Sequence, residues 1–166
     1  MKIITDALVK QSAGISAPVP STLADFAQLS TDEKLGLLWF VYEQMGKSSV
    51  TPAATGAARL QFAEGLLGQV KALSADEQLS FMQDLVEKRN TPLTRAYGLL
   101  TNNTKLAFWY QLAELMCSGD VIAVPAGYIL PYKASILYER ILGLQFGEQI
   151  SVLRQAVVDM GYDPFS

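Results

Sequence analysis

Three seven-residue segments of this chain open in the same way, and that repetition constrains the fold more than any other feature. Residues 32–38 read DEKLGLL, 76–82 read DEQLSFM and 147–153 read GEQISVL. Each has glutamate second, apolar side chains at positions four, six and seven, and glycine or serine at position five. Glutamate in a first turn is favoured by the positive end of the helix dipole, and apolar residues at helical spacing gather on one face. Ser30 and Ser74 complete capping boxes with Glu33 and Glu77. The first and third segments also end alike, since Glu33 to Met45-Gly46 and Glu148 to Met160-Gly161 span the same interval. Starts 44 and 71 residues apart exclude a fixed-period solenoid, so similar helices are expected in related places of two packed bundles.

Helix signals fill most of the remaining chain. A short amphipathic piece is expected over 22–29, and the helix from Asp32 runs to Met45 with Gly46 as its stop. Further helices are expected over 56–73, from the Ser74 cap to about Asn90, and from Thr91-Pro92 to Leu100. Asn103 or Thr104 caps the stretch to Cys117, which Gly119 closes, and two more helices cover about 133–142 and 147–160. Pro125, Gly127 and Pro131 mark 120–131 as the longest loop, and only 121–124 gives a weak strand signal. The chain reads as all-α, with residues 1–20 a partly helical arm and 21–166 a single all-helical domain.

Composition removes most enzyme classes. There is no histidine, which excludes Ser-His-Asp and Cys-His nucleophilic sites, an imidazole base and a His-bearing zinc site. The single cysteine, Cys117, cannot pair within the chain and reads as a small buried hydrophobe in a reducing compartment. Acidic residues fall mainly in first turns and show no paired-carboxylate spacing, while Gly56, Gly65 and Gly68 read as close-packing or weakly helical positions rather than a phosphate cradle. No apolar run approaches the about 20 residues needed to span a bilayer. A net charge of −3 without a basic stripe argues against nucleic acid. Charged residues make up 17% of the chain and the mean hydropathy is +0.20, so much apolar surface must lie in the core, against a partner or around an apolar ligand. A cytosolic protein that binds rather than catalyses is expected.

Two aromatic clusters are the candidates for such binding. Trp39 and Tyr42 lie on one helical face with Leu35, Leu38 and Met45, and Trp109-Tyr110 follows Leu106 and precedes Ala113 and Met116. Stripes of this kind either build core or line an elongated apolar pocket, and the five methionines suit the second use. Arg154 stands beside the stripe Ile150, Leu153, Val157 and Met160, at the phase that Trp39 and Gln83 occupy after the other two segments. It either snorkels from that stripe or forms a rim that meets a partner or ligand.

The runs LLWFVYEQMGK (37–47), KLAFWYQL (105–112) and VLRQAVVDMGYD (152–163), supported by QFAEGLL, NTPLTRAYG and PAGYIL, resemble the N-terminal domain of the cyanobacterial orange carotenoid protein family. A chain ending at Ser166 is similar to the single-domain helical carotenoid proteins of that family. The resemblance implies two discontinuous four-helix bundles packed around an elongated apolar tunnel that holds one ketocarotenoid, canthaxanthin, echinenone or a close relative. Matched positions place Leu35, Leu38, Trp39, Tyr42, Met82, Leu106, Trp109 and Tyr110 on that pigment. Met116, Val124, Tyr128, Ile150, Arg154, Val157 and Met160 complete the set. Gly56, Asn103 and Arg154 match residues of the surface that meets the phycobilisome, whereas Thr55, Thr104 and Gln155 depart from it. The implied function is quenching of singlet oxygen by the bound pigment, with no bond made or broken. The alternatives are constitutive quenching of phycobilisome excitation at the thylakoid surface, or carriage of carotenoid to a homologue of the family's C-terminal domain. A monomer or weak dimer without light-gated domain separation is expected.

Overall fold

The computed structural model describes residues 18–47 and 60–165. Among the described residues there are eight helices: α1 Pro18–Ala27, α2 Thr31–Lys47, α3 Leu60–Lys71, α4 Ala75–Glu87, α5 Pro92–Gly98, α6 Asn102–Ser118, α7 Tyr132–Leu142 and α8 Phe146–Val158. No strand occurs among the described residues. Residues 121–124 form an irregular segment instead. The Val121 N–H donates to the Leu115 carbonyl at the end of α6 and the Ile122 N–H to the Gln78 side chain, so neither is left for a ladder. Most of the expected arm falls outside the described residues, but Pro18, Val19 and Pro20 form the first turn of α1, with Val19 buried.

Local chemistry explains most helix starts. At Ser30 and Ser74 the hydroxyl accepts from the third residue's N–H, at 3.2 Å from Glu33 and from Glu77. Each glutamate returns a carboxylate oxygen to the serine N–H, at 2.9 and 3.1 Å. These bonds hold both carboxyls below their ordinary range. The third segment keeps the returning half of the motif, with the Gln145 N–H donating to Glu148 at 3.1 Å. Thr91 caps α5 with Pro92 in its first turn, and Gly119, at φ 85°, closes α6.

Two expected boundaries are corrected. The cap of α6 is Thr101, whose hydroxyl accepts from the Thr104 N–H at 3.3 Å, rather than Asn103 or Thr104. In the run TNNT every residue is a competent cap, and the choice falls on the one that lets Thr104 and Lys105 enter the interior. Gly46 does not stop α2, which continues to Lys47. The face carrying buried Val41, Tyr42 and Met45 outweighs the about 1 kcal/mol that a single helical glycine costs.

The helices pack into one connected body: α1 on α7 and α8, α2 on α4, α6 and α7, α3 on α5 and α6, α4 on α5, α6 on α8, and α7 on α8. The most extensive of these seams join α6 to α3 and to α8. Phe108 of α6, fully buried, lies near the centre with edge-on contacts to Phe81, Tyr97 and Trp109. In the three similar segments, positions six and seven (Leu37-Leu38, Phe81-Met82, Val152-Leu153) are all buried. Position four differs between them: Leu35 is half-buried and Leu79 is exposed, while Ile150 is buried.

Candidate functional site

That difference at position four has a structural cause. Where α2 crosses α4, equivalent residues of the first two segments, Leu35 with Leu79 and Trp39 with Gln83, face one cavity of about 320 Å³. Met82 of α4 lies beside them, α6 supplies Trp109, Ala113 and Met116, and the segment after α6 closes the wall with Ile122, Ala123, Val124, Pro125 and Tyr128. The lining is apolar and aromatic. Its single carboxylate, Asp32, accepts from the Gln83 amide at 3.4 Å.

Two devices hold the irregular wall in place. Gly36 of α2 lets Tyr128 and Leu130 lie across the helix, since a β-carbon there would stand 3.0 Å from the Tyr128 ring. Tyr128 also stacks on Phe40, with ring centroids 6.3 Å apart and planes at 21°. The second device is Gln78, which is buried. Its amide nitrogen donates to the carbonyls of Val70 and Asp120 at 3.1 and 3.4 Å, and its oxygen accepts from the Ile122 N–H at 2.8 Å. Gln78→Leu would strand these three backbone groups. It should lower stability by about 2–3 kcal/mol, read as a lower urea midpoint, with the loss of order concentrated in 120–128 by hydrogen exchange.

Trp109 is oriented from behind the wall: its Nε1–H donates to the Tyr97 hydroxyl at 2.9 Å, and that hydroxyl donates to the Val157 carbonyl at 2.6 Å. Tyr42 is different. Its hydroxyl is buried without a hydrogen-bond partner, and burial pushes its pKa far above the ordinary range, so it stays protonated. Tyr42 and Ala113 are shared with a second cavity of about 600 Å³ along the same α2–α6 seam, lined also by Glu43, Gly46, Tyr110, Glu114, Cys117 and Ser118.

Of the residues expected at the site, Leu35, Trp39, Tyr42, Met82, Trp109, Met116, Val124 and Tyr128 surround the first cavity, and Tyr110 lines the second. Leu38, Leu106, Ile150 and Val157 lie in the core that backs these helices. Met160 borders a separate cavity with Phe26, Lys34, Lys88 and Asp159. Arg154 is half-buried on α8, lines none of these cavities, and leaves its buried Nε without a partner. Asn103 is half-buried in the first turn of α6, and Gly56 lies outside the described residues. Cys117 corrects the sequence reading: it is exposed in the last turn of α6. Partial burial first, then the charges of Glu43 and Glu114, raises its thiol pKa, which disfavours the reactive thiolate. Leu79 and Gln83 are lining residues that sequence reasoning missed: the segment similarity makes them counterparts of Leu35 and Trp39, and only the packing of α2 on α4 brings both pairs to one cavity. Ile122, Ala123 and Pro125 carry no periodic signal.

A helical fold whose seam opens into an apolar, aromatic-walled cavity defines a class of helical proteins suited to enclosing an apolar small molecule. Residues 12–163 match the family model described as orange carotenoid protein, N-terminal. A Nostoc protein described as an orange carotenoid-binding domain-containing protein is 55% identical over 89% of this chain and 86% of its own length. The chain belongs to the orange carotenoid protein N-terminal domain family. The orange carotenoid-binding protein of Synechocystis is 47% identical over 87% of this chain, but only 45% of that protein is covered, so the chain spans about half its length. The structure of the Anabaena (Nostoc) red carotenoid protein binding canthaxanthin superposes with a TM-score of 0.79 at 36% identity, covering 87% of this chain and 99% of that one. The orange carotenoid protein of the same organism binding canthaxanthin also gives 0.79, at 46% identity, over 88% of this chain and 47% of that one. Among the described residues no helix is long and apolar enough to cross a membrane.

Proposed function

We propose that this chain binds one ketocarotenoid along the α2–α6 seam and protects by physical quenching of singlet oxygen. The observation that carries this reading is the cavity walled by both tryptophans of the chain together with Met82 and Met116. Its lining fits such a ligand: the wall offers aromatic faces and soft thioethers, and its one carboxylate already has a partner in Gln83. Apolar surface buried there contributes roughly 25 cal/mol per Å², so a polyene needs no ionic anchor. A bound carotenoid supplies a low-lying excited state that accepts the energy of singlet oxygen and releases it as heat. The chain's own work is to keep the ligand out of water, hold it against Trp39 and Trp109, and leave access for a small diffusing molecule. The similarity of canthaxanthin-binding proteins supports the choice of ligand.

The test is expression in cells that make canthaxanthin, followed by the visible absorption spectrum of the purified protein. A coloured complex with near one pigment per chain is expected, its absorption shifted to the red of free canthaxanthin. The complex should shorten the near-infrared phosphorescence lifetime of singlet oxygen more than the colourless protein does at equal concentration. A colourless, helical product would overturn the reading.

A further inference from the structure

We infer that Tyr97, which does not line the cavity, is the positioning residue that fixes the Trp109 indole against the ligand and so sets how the pigment is held; the pigment half of this inference rests on the function proposed above. Tyr97 lies on α5, Trp109 on α6 and Val157 on α8, and one fully buried hydroxyl joins all three. It accepts from Trp109 Nε1 at 2.9 Å and donates to the Val157 carbonyl at 2.6 Å, so its single proton and one of its lone pairs are committed in fixed directions. Burial keeps that hydroxyl protonated.

The Tyr97 ring has little freedom of its own. Phe108 meets it edge-on at 5.3 Å between centroids, and Lys105 Nζ stands 5.4 Å from its centroid while donating to the Val158 carbonyl at 2.9 Å. Gly161, at φ 77°, lies against the same ring, where a β-carbon would stand 2.5 Å from Tyr97 Cδ1. A ring clamped in this way is a fixed point. Apolar packing tolerates small rotations of an indole, whereas a hydrogen bond at Nε1 is directional, and it selects the face that Trp109 turns toward the cavity.

The experiment compares Tyr97→Phe with the unaltered chain in two readouts. Without pigment, the two indole N–H resonances are followed by nitrogen-15 NMR, with Trp109→Phe assigning its own peak. Tyr97→Phe should move the Trp109 resonance and speed its solvent exchange by at least about tenfold, leaving that of Trp39 in place. With pigment, Tyr97→Phe should shift the visible absorption and circular dichroism and release carotenoid about tenfold faster. Made in a Trp109→Phe background, the same substitution should change neither. A structural role alone would weaken both backgrounds equally, and that result, or an unmoved Trp109 resonance, would overturn the inference. Should Tyr97→Phe lose its fold, Trp109→Phe removes the same hydrogen bond from the other side, and an unchanged pigment spectrum and release rate there would count equally against it. A chain that takes up no pigment would overturn the carotenoid reading and the pigment half together, and the resonance would still decide the hold of Tyr97 on Trp109.

Discussion

Trp109→Ser should give a folded, helical protein that binds canthaxanthin roughly 30-fold more weakly than the unaltered chain. The side chain is buried and reaches the cavity from the middle of α6. Replacing an indole face by a hydroxymethyl group removes about 2 kcal/mol of apolar contact with a ligand lying on it, and 1.4 kcal/mol is tenfold in affinity. Stability falls as well, by about 3–5 kcal/mol, because the vacated space opens beside Phe108 and the Tyr97 hydroxyl loses its donor. That loss complicates a single measurement, and Trp39→Ser resolves it. Trp39 lines the same cavity but is half-buried and has no role in the Phe108 cluster. Its loss should weaken pigment binding by a similar factor at less than half the cost in stability. The measurements are pigment titration by absorption and thermal unfolding of the colourless protein. Two variants that lose stability in this order but keep wild-type affinity would remove the ligand from the cavity.

The legible part of this molecule lay in its repeated helix starts. Serine, glutamate and the apolar positions that follow act through local hydrogen bonds and periodicity, so Ser30-Glu33 and Ser74-Glu77 could be read directly and the structure carries both boxes. The same segments placed Leu35 and Trp39 on one face. Their counterparts Leu79 and Gln83 follow only once α2 is known to cross α4, because helix crossing is a tertiary property that no single segment encodes. The wall from Ile122 to Tyr128 is legible only through the family resemblance, which marks Val124 and Tyr128. It has no period, and its shape is imposed by Gln78, 44 residues before Ile122 in sequence, and by the space that Gly36 leaves for Tyr128. For Cys117 an apolar stretch predicts burial, whereas the last turn of α6 leaves Cys117 and Ser118 exposed. Tyr97 carried no signal of a site at all. Its importance depends on a bond to a residue 12 positions later and another 60 positions later.

Gly98→Ala should destabilise the protein by about 3 kcal/mol, although alanine is the better helix former by about 1 kcal/mol. Gly98 is the last residue of α5, and a β-carbon there would stand 2.1 Å from the carbonyl oxygen of Tyr162 and 2.7 Å from its carbonyl carbon. Both are backbone atoms, so no side-chain rotation relieves the overlap and the segment after α8 must move. That segment is fastened by the Gly161 N–H to the Leu85 carbonyl at 2.8 Å and by the Tyr162 N–H to the Thr94 carbonyl at 3.1 Å. A shift that clears a new methyl breaks one or both and leaves polar groups unsatisfied. The thermal midpoint should fall by roughly 6–12 °C. Gly65→Ala and Gly68→Ala are the controls, since both glycines sit on α3 with no atom near the added carbon, and each should raise stability by about 0.5–1 kcal/mol. One substitution chemistry then acts with opposite signs, set by what the added carbon meets. Because Gly161 also bears on the Tyr97 ring, Gly98→Ala should disturb the Trp109 indole resonance, whereas the two controls should leave it unmoved. A raised midpoint for Gly98→Ala would mean that the segment after α8 does not rest on α5 in solution, and the clamp on Tyr97 would lose one of its sides.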